Sequence, residues 1–431
     1  MIRLLKSDYA KSFAGQITMA ASNMVAFSVL ARFLTKVELG NWVVILTITA
    51  FVESFRAGFF SAAYTKIADS KSHRREDIGF TVLVMNIFGQ ALIVALIGLC
   101  SYFLYDIRLL LFYVGTLTVS SLLFDFVQWH TLALRDFTKN TQIILTQSCI
   151  NLLSIASLAI YGNLTLSLVV ITTLASKLVT TLLYISAFSP FFVARSRFVP
   201  EVSRAIIRFG KHTATTMLGS QAMRLTDITL LGWMAGPAMV ALLSVPDKLV
   251  QVVAIPIRSI NKAFYPKAAV FHSINDHTSW RQEFSTTLTV VLLLCSVVSL
   301  VVLIFAKPLV TLLGGTEFTQ AADVLRLYIL VVSVNSIATL LGVSLESVGY
   351  PQANSTLLVV LVPLNLIADY VALRGFPRPE AVILVTLLTA FLGMVWFYIK
   401  IKKRTNFTIS YYLSSGLKYS LNKLLVHANL K

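Results

Sequence analysis

Charged side chains are scarce in this chain. Asp, Glu, Lys and Arg make up 13% of its 431 residues, whereas 57% are hydrophobic. A typical soluble domain carries about 25% charged residues. The mean hydropathy of +0.79 agrees with this imbalance. The composition therefore excludes an ordinary soluble protein and favours a chain that folds inside a membrane.

Cysteine is nearly absent, and the sequence motifs of common enzymes are missing. Cys100, Cys149 and Cys295 each lie in an apolar run, where a thiol behaves as a small hydrophobic group, so we predict no disulfide. The spacing around His272 and His277 does not match a metal site. There is no phosphate-binding Gly-Lys-Ser loop, no nucleophile elbow and no paired-histidine zinc helix. We therefore expect no metal, no cofactor and no enzymatic activity.

Long apolar runs are what the chain has instead. A helix needs about 20 residues to cross a hydrocarbon core about 30 Å thick. We predict an all-α polytopic membrane protein with about 12 transmembrane helices. The predicted spans are residues 12–33, 41–66, 79–105, 109–134, 141–161, 165–194, 212–235, 239–266, 285–306, 320–344, 354–373 and 380–399.

A weak internal similarity divides the chain into two halves. It aligns Lys11 with His212, and the segment 63–66 with the segment 264–267. Two such halves of six helices enter the membrane in the same direction and usually enclose a central cavity. We therefore predict two six-helix bundles around a central cavity. The predicted domains are an N-terminal bundle at 1–194, a basic cytoplasmic linker at 195–211, a C-terminal bundle at 212–399 and a basic amphipathic cytoplasmic tail at 400–431.

The positive charge of the chain is one-sided. The formal net charge is +17, and about two thirds of the 36 Lys and Arg residues fall on the same side of the predicted membrane as the amino terminus. By the positive-inside rule, both termini are cytoplasmic. The basic loops are thus explained by membrane orientation, and we expect no nucleic-acid partner.

Six cations nevertheless lie more than four residues inside the ends of the predicted spans. Each costs about 2.5–3.5 kcal/mol at the centre of a lipid-facing helix. They must be paired, reach an interface, or face a water-filled cavity. Three of them have an acid three residues away, on the same helix face, so neutralisation within the fold is one interpretation. These pairs are Glu53 with Arg56, Arg224 with Asp227, and Asp323 with Arg326.

An anionic substrate is the other interpretation of these cations. Lys177 lies near the middle of its span with no acid within four residues, and Lys248 lies mid-span beside Asp247. A cation 4 Å from an opposite charge gains about 4 kcal/mol at an effective dielectric constant of 20, and a phosphate group fits such a site. We predict a cationic, substrate-binding cavity formed by Lys177, Arg224, Lys248, Arg56 and Arg258. We assign charge pairing or ion coupling to Asp227, Glu53 and Asp125.

Four segments, in order along the chain, resemble the motifs of one family. With twelve spans they resemble the polysaccharide transporter family, within the multidrug/oligosaccharidyl-lipid/polysaccharide exporter superfamily. The resemblance covers nearly the whole chain. One departure is Leu242-Leu243, where the family often has Gly-Tyr. The segments are Ala31-Arg32-Phe33-Leu34 with Leu39-Gly40, Thr226-Asp227 with Leu230-Leu231-Gly232, Gly315-Thr316-Glu317-Phe318 with Ala321-Ala322, and Leu345-Glu346-Ser347-Val348-Gly349-Tyr350-Pro351.

The resemblance implies a flippase of the bacterial inner membrane. Such a protein moves an undecaprenyl-pyrophosphate-linked oligosaccharide repeat unit, of the O-antigen, capsule or exopolysaccharide type, from the inner to the outer leaflet by alternating access. Its partners would be the lipid-linked anionic oligosaccharide, membrane lipids and a glycan polymerase. The number of spans favours the oligosaccharide-lipid flippases over the lipid II flippases, which typically have two more helices.

Two other functions are open from the sequence. A cation-coupled multidrug antiporter of the same superfamily would be favoured by buried carboxylates, but Glu53 is the one acid deep in the first two helices and it has Arg56 beside it. A membrane-embedded glycan polymerase or ligase generally needs a sizeable outer loop with catalytic polar residues. The predicted outer loops here are only a few residues long.

Overall fold

The computed structural model of the protein describes residues 8–69, 72–134, 136–184, 197–350 and 352–405. Twelve long α-helices account for nearly all of these residues. Short 3-10 helices at Tyr105–Ile107 and Thr316–Phe318 precede two of them. The helices are α1 (Asp8–Phe33), α2 (Lys36–Asp69), α3 (Ser72–Phe103), α4 (Arg108–Ala133), α5 (Phe137–Ile160), α6 (Leu166–Leu183), α7 (Pro200–Met234), α8 (Pro237–Ser273), α9 (His277–Gly314), α10 (Ala321–Ser347), α11 (Gln352–Gly375) and α12 (Pro379–Thr405).

Ten of these helices are long and apolar enough to cross a membrane, namely all except α1 and α7. The all-α membrane fold expected from the hydropathy is therefore confirmed. Both α1 and α7 overlap predicted spans, but they are on average less hydrophobic than the other ten. A count of twelve spans stays a prediction.

The chain forms two compact units. The first comprises Met1–Gly232 with Gly236–Ala241, and the second comprises Trp233–Ala235 with Leu242–Lys431. Helix α7 begins at Pro200, so most of the predicted linker at 195–211 is helical and continuous with the helix that follows. Proline at the first helical position and Glu201 in the first turn are typical helix-starting residues. The predicted amphipathic tail lies, beyond residue 405, outside the described residues.

Close packing within the first unit depends on small residues of α2. A Cβ added at Gly58 would lie 2.4 Å from the Cα of Ala214 on α7. A Cβ added at Gly40 would lie 1.8 Å from the carbonyl oxygen of Pro237. Glycine and alanine let membrane helices approach closely, which increases van der Waals contact where no hydrophobic force drives association. These contacts attach α7 and the first residues of α8 to α2.

In the second unit, helix α8 contains prolines and helix α9 has a side-chain cap at its amino terminus. Helix α8 carries Pro246, Pro256 and Pro266, each of which removes one backbone hydrogen-bond donor. Asp276 caps α9 by accepting a hydrogen bond from the backbone N–H of Ser279 at 3.0 Å. Hydrogen bonds from Ser279 lower the pKa of the Asp276 carboxyl. The short connection between α8 and α9 thus ends in a charged cap.

The topology predicted from the basic loops can be tested by labelling single cysteines. Asn163 lies in the exposed turn between α5 and α6, and Lys139 is exposed near the start of α5. In a variant without the three native cysteines, Asn163→Cys should react with an impermeant maleimide added to intact cells. Lys139→Cys should react only after the membrane is opened. The reverse pattern would contradict the predicted orientation.

Candidate functional site

Charged and polar side chains from four helices meet inside the first unit. Helix α2 supplies Glu53 and Arg56, α3 supplies Gln90, α4 supplies Ser121 and Asp125, and α6 supplies Lys177. All six residues lie within candidate membrane spans. We call this set the charge cluster. Ion pairs at this depth are costly to form in lipid, so their presence marks a candidate site.

Arg56 is the deepest member of the charge cluster. Its side chain is 4% exposed, and its Nη2 lies 2.6 Å from Asp125 Oδ2 and 3.9 Å from Glu53 Oε1. Its Nη1 donates a hydrogen bond to Gln90 Oε1 at 2.9 Å. The Nε atom is buried and has no hydrogen-bond partner among the described residues. The guanidinium therefore retains one donor that another acceptor could use.

Lys177 is paired across helices. Its Nζ lies 3.5 Å from Glu53 Oε1 and donates a hydrogen bond to Ser121 Oγ at 2.5 Å. The Ser121 hydroxyl in turn donates to Glu53 Oε1 at 2.5 Å. The sequence led us to expect an unpaired lysine, because no acid is nearby on the same helix. Tertiary packing corrects this expectation, since Glu53 stands 124 positions earlier in the chain.

The charges of the cluster balance, but their exposure differs. Two cations face two carboxylates, so the formal charge sums to zero. The side chain of Arg56 is nearly inaccessible, whereas Lys177 is 17%, Asp125 22% and Glu53 29% exposed. The pair of Lys177 and Glu53 is thus one place where a ligand can reach a cation. Asp125, assigned from the sequence to charge pairing or ion coupling, pairs with Arg56.

The other predicted site residues lie on α7 and α8. Arg224 and Asp227 lie one turn apart on α7 and are half-buried, and both have interaction partners. In the second unit, Lys248 on α8 is half-buried and also has a partner, while Arg258 is exposed. Whether these residues share a cavity with Lys177 stays a prediction.

The second unit contains two polar networks of its own. The Asp247 carboxylate accepts hydrogen bonds from Gln251 at 3.0 Å and from Tyr328 at 3.1 Å. The fully buried Asp369 accepts one from Asn365 at 2.8 Å. The Asp323 and Arg326 pair predicted from the sequence forms at 2.6 Å on an exposed surface. The predicted pair of Asp323 and Arg326 is therefore confirmed, and Asp247 and Asp369 each accept hydrogen bonds within the second unit.

Two members of the charge cluster were missed from the sequence. Gln90 stands in an apolar run of α3, and Ser121 lies one turn before Asp125 on α4. The spacing of Ser121 and Asp125 places both on one face of α4, and that was the available signal. A lone Ser or Gln is common in membrane helices, so neither residue could be assigned without the fold.

An apolar cavity of about 180 Å³ adjoins the charge cluster in the same unit. Helices α2, α3 and α7 form its walls, and Arg56 is the charged residue among those that line it. Asn86 also lines it, and its amide donates to the carbonyl of Leu122 at 3.3 Å. The remaining lining residues are Phe55, Phe59, Phe60, Val82, Met85, Gly89, Ile206 and Ile207.

Comparison with protein families agrees with the resemblance found in the sequence. The model of a family described as polysaccharide biosynthesis protein matches residues 29–323, more than half of the chain. A probable low-salt glycan biosynthesis flippase, Agl15 of Haloferax volcanii, is 20% identical over 174 residues. That alignment covers 40% of this chain and 37% of the relative. The chain thus matches well under half of this curated relative's length.

Solved structures share the fold. An inward-facing multidrug resistance MATE family transporter of the MOP superfamily superposes with a TM-score of 0.76 at 12% identity, covering 89% of this chain and 95% of that one. The lipid II flippase MurJ, in an inward closed conformation, gives a TM-score of 0.74 at 15% identity, covering 97% of this chain and 92% of that one. At these identities the likeness is one of fold. The family resemblance found in the sequence is confirmed by the family model.

Burial of the Arg56 pair predicts a large effect on stability. Asp125→Ala should lower the free energy of unfolding by about 3 kcal/mol, because it leaves a buried guanidinium with Glu53, at 3.9 Å, as a weaker charged partner. Asp323→Ala removes a pair of the same 2.6 Å length whose side chains are 43% and 75% exposed. That control should cost less than about 1 kcal/mol. Denaturant titration in detergent measures both.

A double variant separates the charge effect from a packing effect. Asp125→Ala combined with Arg56→Met removes the uncompensated charge, so part of the lost stability should return. Equal losses for Asp125→Ala and Asp323→Ala, or no recovery in the double variant, would show that the buried pair does not carry the stability assigned to it.

Proposed function

Because this chain belongs to the polysaccharide biosynthesis protein family, we propose that it is a flippase for a lipid-linked oligosaccharide. The substrate is an undecaprenyl-pyrophosphate-linked repeat unit of the O-antigen, capsule or exopolysaccharide type. It moves from the inner to the outer leaflet of a bacterial inner membrane by alternating access. The observation that carries the proposal is a cluster with two cations at membrane depth in a chain of this family and fold.

The substrate's pyrophosphate would compete with Glu53 for Lys177. A pyrophosphate carries more negative charge and more acceptor oxygens than one carboxylate, so the lysine can exchange partners when the substrate arrives. Lys177 suits this exchange because its side chain is partly exposed and Ser121 already holds its ammonium group. Arg56 would stay with Asp125 and keep the positive potential of the site fixed.

Neutral overall charge in the resting cluster helps such a transporter. A site with uncompensated cations would hold a pyrophosphate tightly and release it slowly. In the cluster, Glu53 can return to Lys177 as the substrate leaves, so the cation is never without a partner. The membrane potential favours outward movement of negative charge by about 2.3 kcal/mol per charge per 100 mV. Transport without nucleotide hydrolysis is therefore energetically allowed.

A multidrug antiporter is the second candidate, and the fold likeness to a MATE transporter favours it as much as the likeness to MurJ favours a flippase. A carrier of lipophilic cations needs carboxylates that outnumber nearby cations. In the cluster each carboxylate has a cation within 4 Å. This balance, together with the family, favours the flippase.

Replacement of Lys177 tests the proposed substrate contact. Lys177→Gln should strongly reduce display of the surface glycan in a strain that lacks the native gene, because the amide cannot attract a pyrophosphate. Lys177→Arg should retain part of the display, since it keeps the charge. The loss of one such contact, up to about 4 kcal/mol, is enough to lower transport more than tenfold. Glycan display is measured against the amount of protein in the membrane.

Lys139→Gln is the matched control. Lys139 also pairs with an acid, Asp136, at 3.7 Å, but its side chain is 56% exposed and lies outside the charge cluster. Glycan display should equal that of the wild type. Normal display by Lys177→Gln at normal protein level would show that this lysine does not contact the substrate's charge.

A further inference from the structure

The cavity between α2, α3 and α7 has a closed side and an open side. Phe60, Val82 and Ile206 form the closed side, and each is buried in the core of the first unit. Phe55 and Ile207 stand on the open side, where they are 41% and 49% exposed. The cavity is therefore a blind apolar recess with a mouth on the surface of this unit.

The surface beside this mouth has the character of a lipid-facing surface. The cavity residues of α3 lie inside a candidate membrane span. Neighbouring side chains on the same helix, Ile87, Phe88 and Leu92, are 48%, 73% and 63% exposed. A recess lined by apolar groups at this depth is unfavourable for water, because an apolar cavity of about 150 Å³ stays dry and takes up hydrocarbon. Such a recess suits a hydrocarbon group.

Arg56 adds a polar end to this apolar recess. Its guanidinium lines the cavity, belongs to the charge cluster, and keeps a buried Nε donor with no hydrogen-bond partner among the described residues. A buried donor without an acceptor is costly, so an oxygen atom supplied by a ligand would stabilise it. An acidic oxygen would form a charge-assisted hydrogen bond there. The cavity thus fits an amphiphile with a negatively charged end.

We propose that the cavity binds the first part of the hydrocarbon chain of a prenyl-phosphate lipid, with its phosphate end toward Arg56. This inference rests on the proposed function, because the lipid is the carrier to which the transported glycan is attached. The cavity is continuous with the charge cluster, which favours this occupant over a bulk phospholipid. Arg56 belongs both to the cavity wall and to the cluster in which Lys177 would hold the pyrophosphate.

In this arrangement the recess positions the substrate. A carrier chain held against Phe55 and Phe59 would keep its pyrophosphate beside the cluster while the rest of the chain lies in the bilayer. The volume of about 180 Å³ accommodates about one isoprene unit, because apolar protein cavities of about 150 Å³ bind a benzene molecule. Only the chain nearest the phosphate is recognised, which suits a carrier of variable length.

Photolabelling of the full-length protein in lipid nanodiscs tests this proposal. The probe is a farnesyl pyrophosphate with a diazirine on its first isoprene unit, and the comparison probe is a phosphatidylglycerol with a diazirine in one acyl chain. The prenyl probe should label peptides that contain Met85 or Ile207. The phosphatidylglycerol should label them at least about tenfold less, because its phosphodiester carries less negative charge than a pyrophosphate and pairs less strongly with Arg56.

Two glycines of α3 provide a variant and its matched control. A Cβ added at Gly89 or at Gly98 meets nothing within 4 Å, so both helix positions accept a larger side chain. Gly89 lines the cavity, whereas Gly98 lies about 13 Å further along α3. Gly89→Trp should lower labelling by the prenyl probe at least about tenfold, and Gly98→Trp should leave it unchanged. Gly89→Leu replaces Gly89→Trp if the larger variant is unstable.

The outcomes separate this proposal from the proposed function. Equal labelling by the two probes would show a general lipid site and overturn the proposal, as would labelling that Gly89→Trp and Gly89→Leu leave unchanged. If the wild type restores glycan display while the prenyl probe labels other peptides, the cavity proposal alone fails. Failure of the wild type to restore glycan display would instead contradict the proposed function.

Discussion

The cost of placing charge in hydrocarbon governs the first unit. Arg56 is nearly inaccessible inside a membrane-spanning helix, and the fold surrounds it with Asp125, Glu53 and Gln90 from three helices. Each partner must therefore arrive at one depth and on one inward face. The charge cluster in this way fixes how α2, α3, α4 and α6 are aligned along the membrane normal. The apolar core and the close contacts of Gly58 are compatible with this alignment of the helices.

A balanced cluster changes how an anionic substrate is selected. The attraction available to a pyrophosphate is the difference between its interaction with Lys177 and that of Glu53 with the same lysine. Selectivity then arises from competition between two anions rather than from stored positive charge. The adjoining cavity would also select for a hydrocarbon chain, so that both the charge and the lipid part of the substrate are recognised beside Arg56. Free phosphate satisfies one criterion only.

The sequence predicted the helices well because backbone groups in a bilayer must be satisfied within the segment, which makes long apolar runs unambiguous. It placed Glu53 beside Arg56, but the shorter contact of that arginine is with Asp125, at 2.6 Å against 3.9 Å. The pairing of Lys177 with Glu53 could not be predicted from the sequence, because it depends on how α2 and α6 pack. The start of α7 at Pro200 was missed since its basic residues read as a loop.

The distance along the chain between Glu53 and Lys177 has a consequence for biosynthesis. At roughly 5–20 residues per second, the 124 positions between them take about 6–25 s to translate. During that interval α2 has already left the ribosome with Glu53 and Arg56 three residues apart. The two can neutralise each other as the helix enters the bilayer, before Asp125 and then Lys177 are made. The local pair can thus offset the charge of α2 early, and the later helices add Asp125 and Lys177 to it.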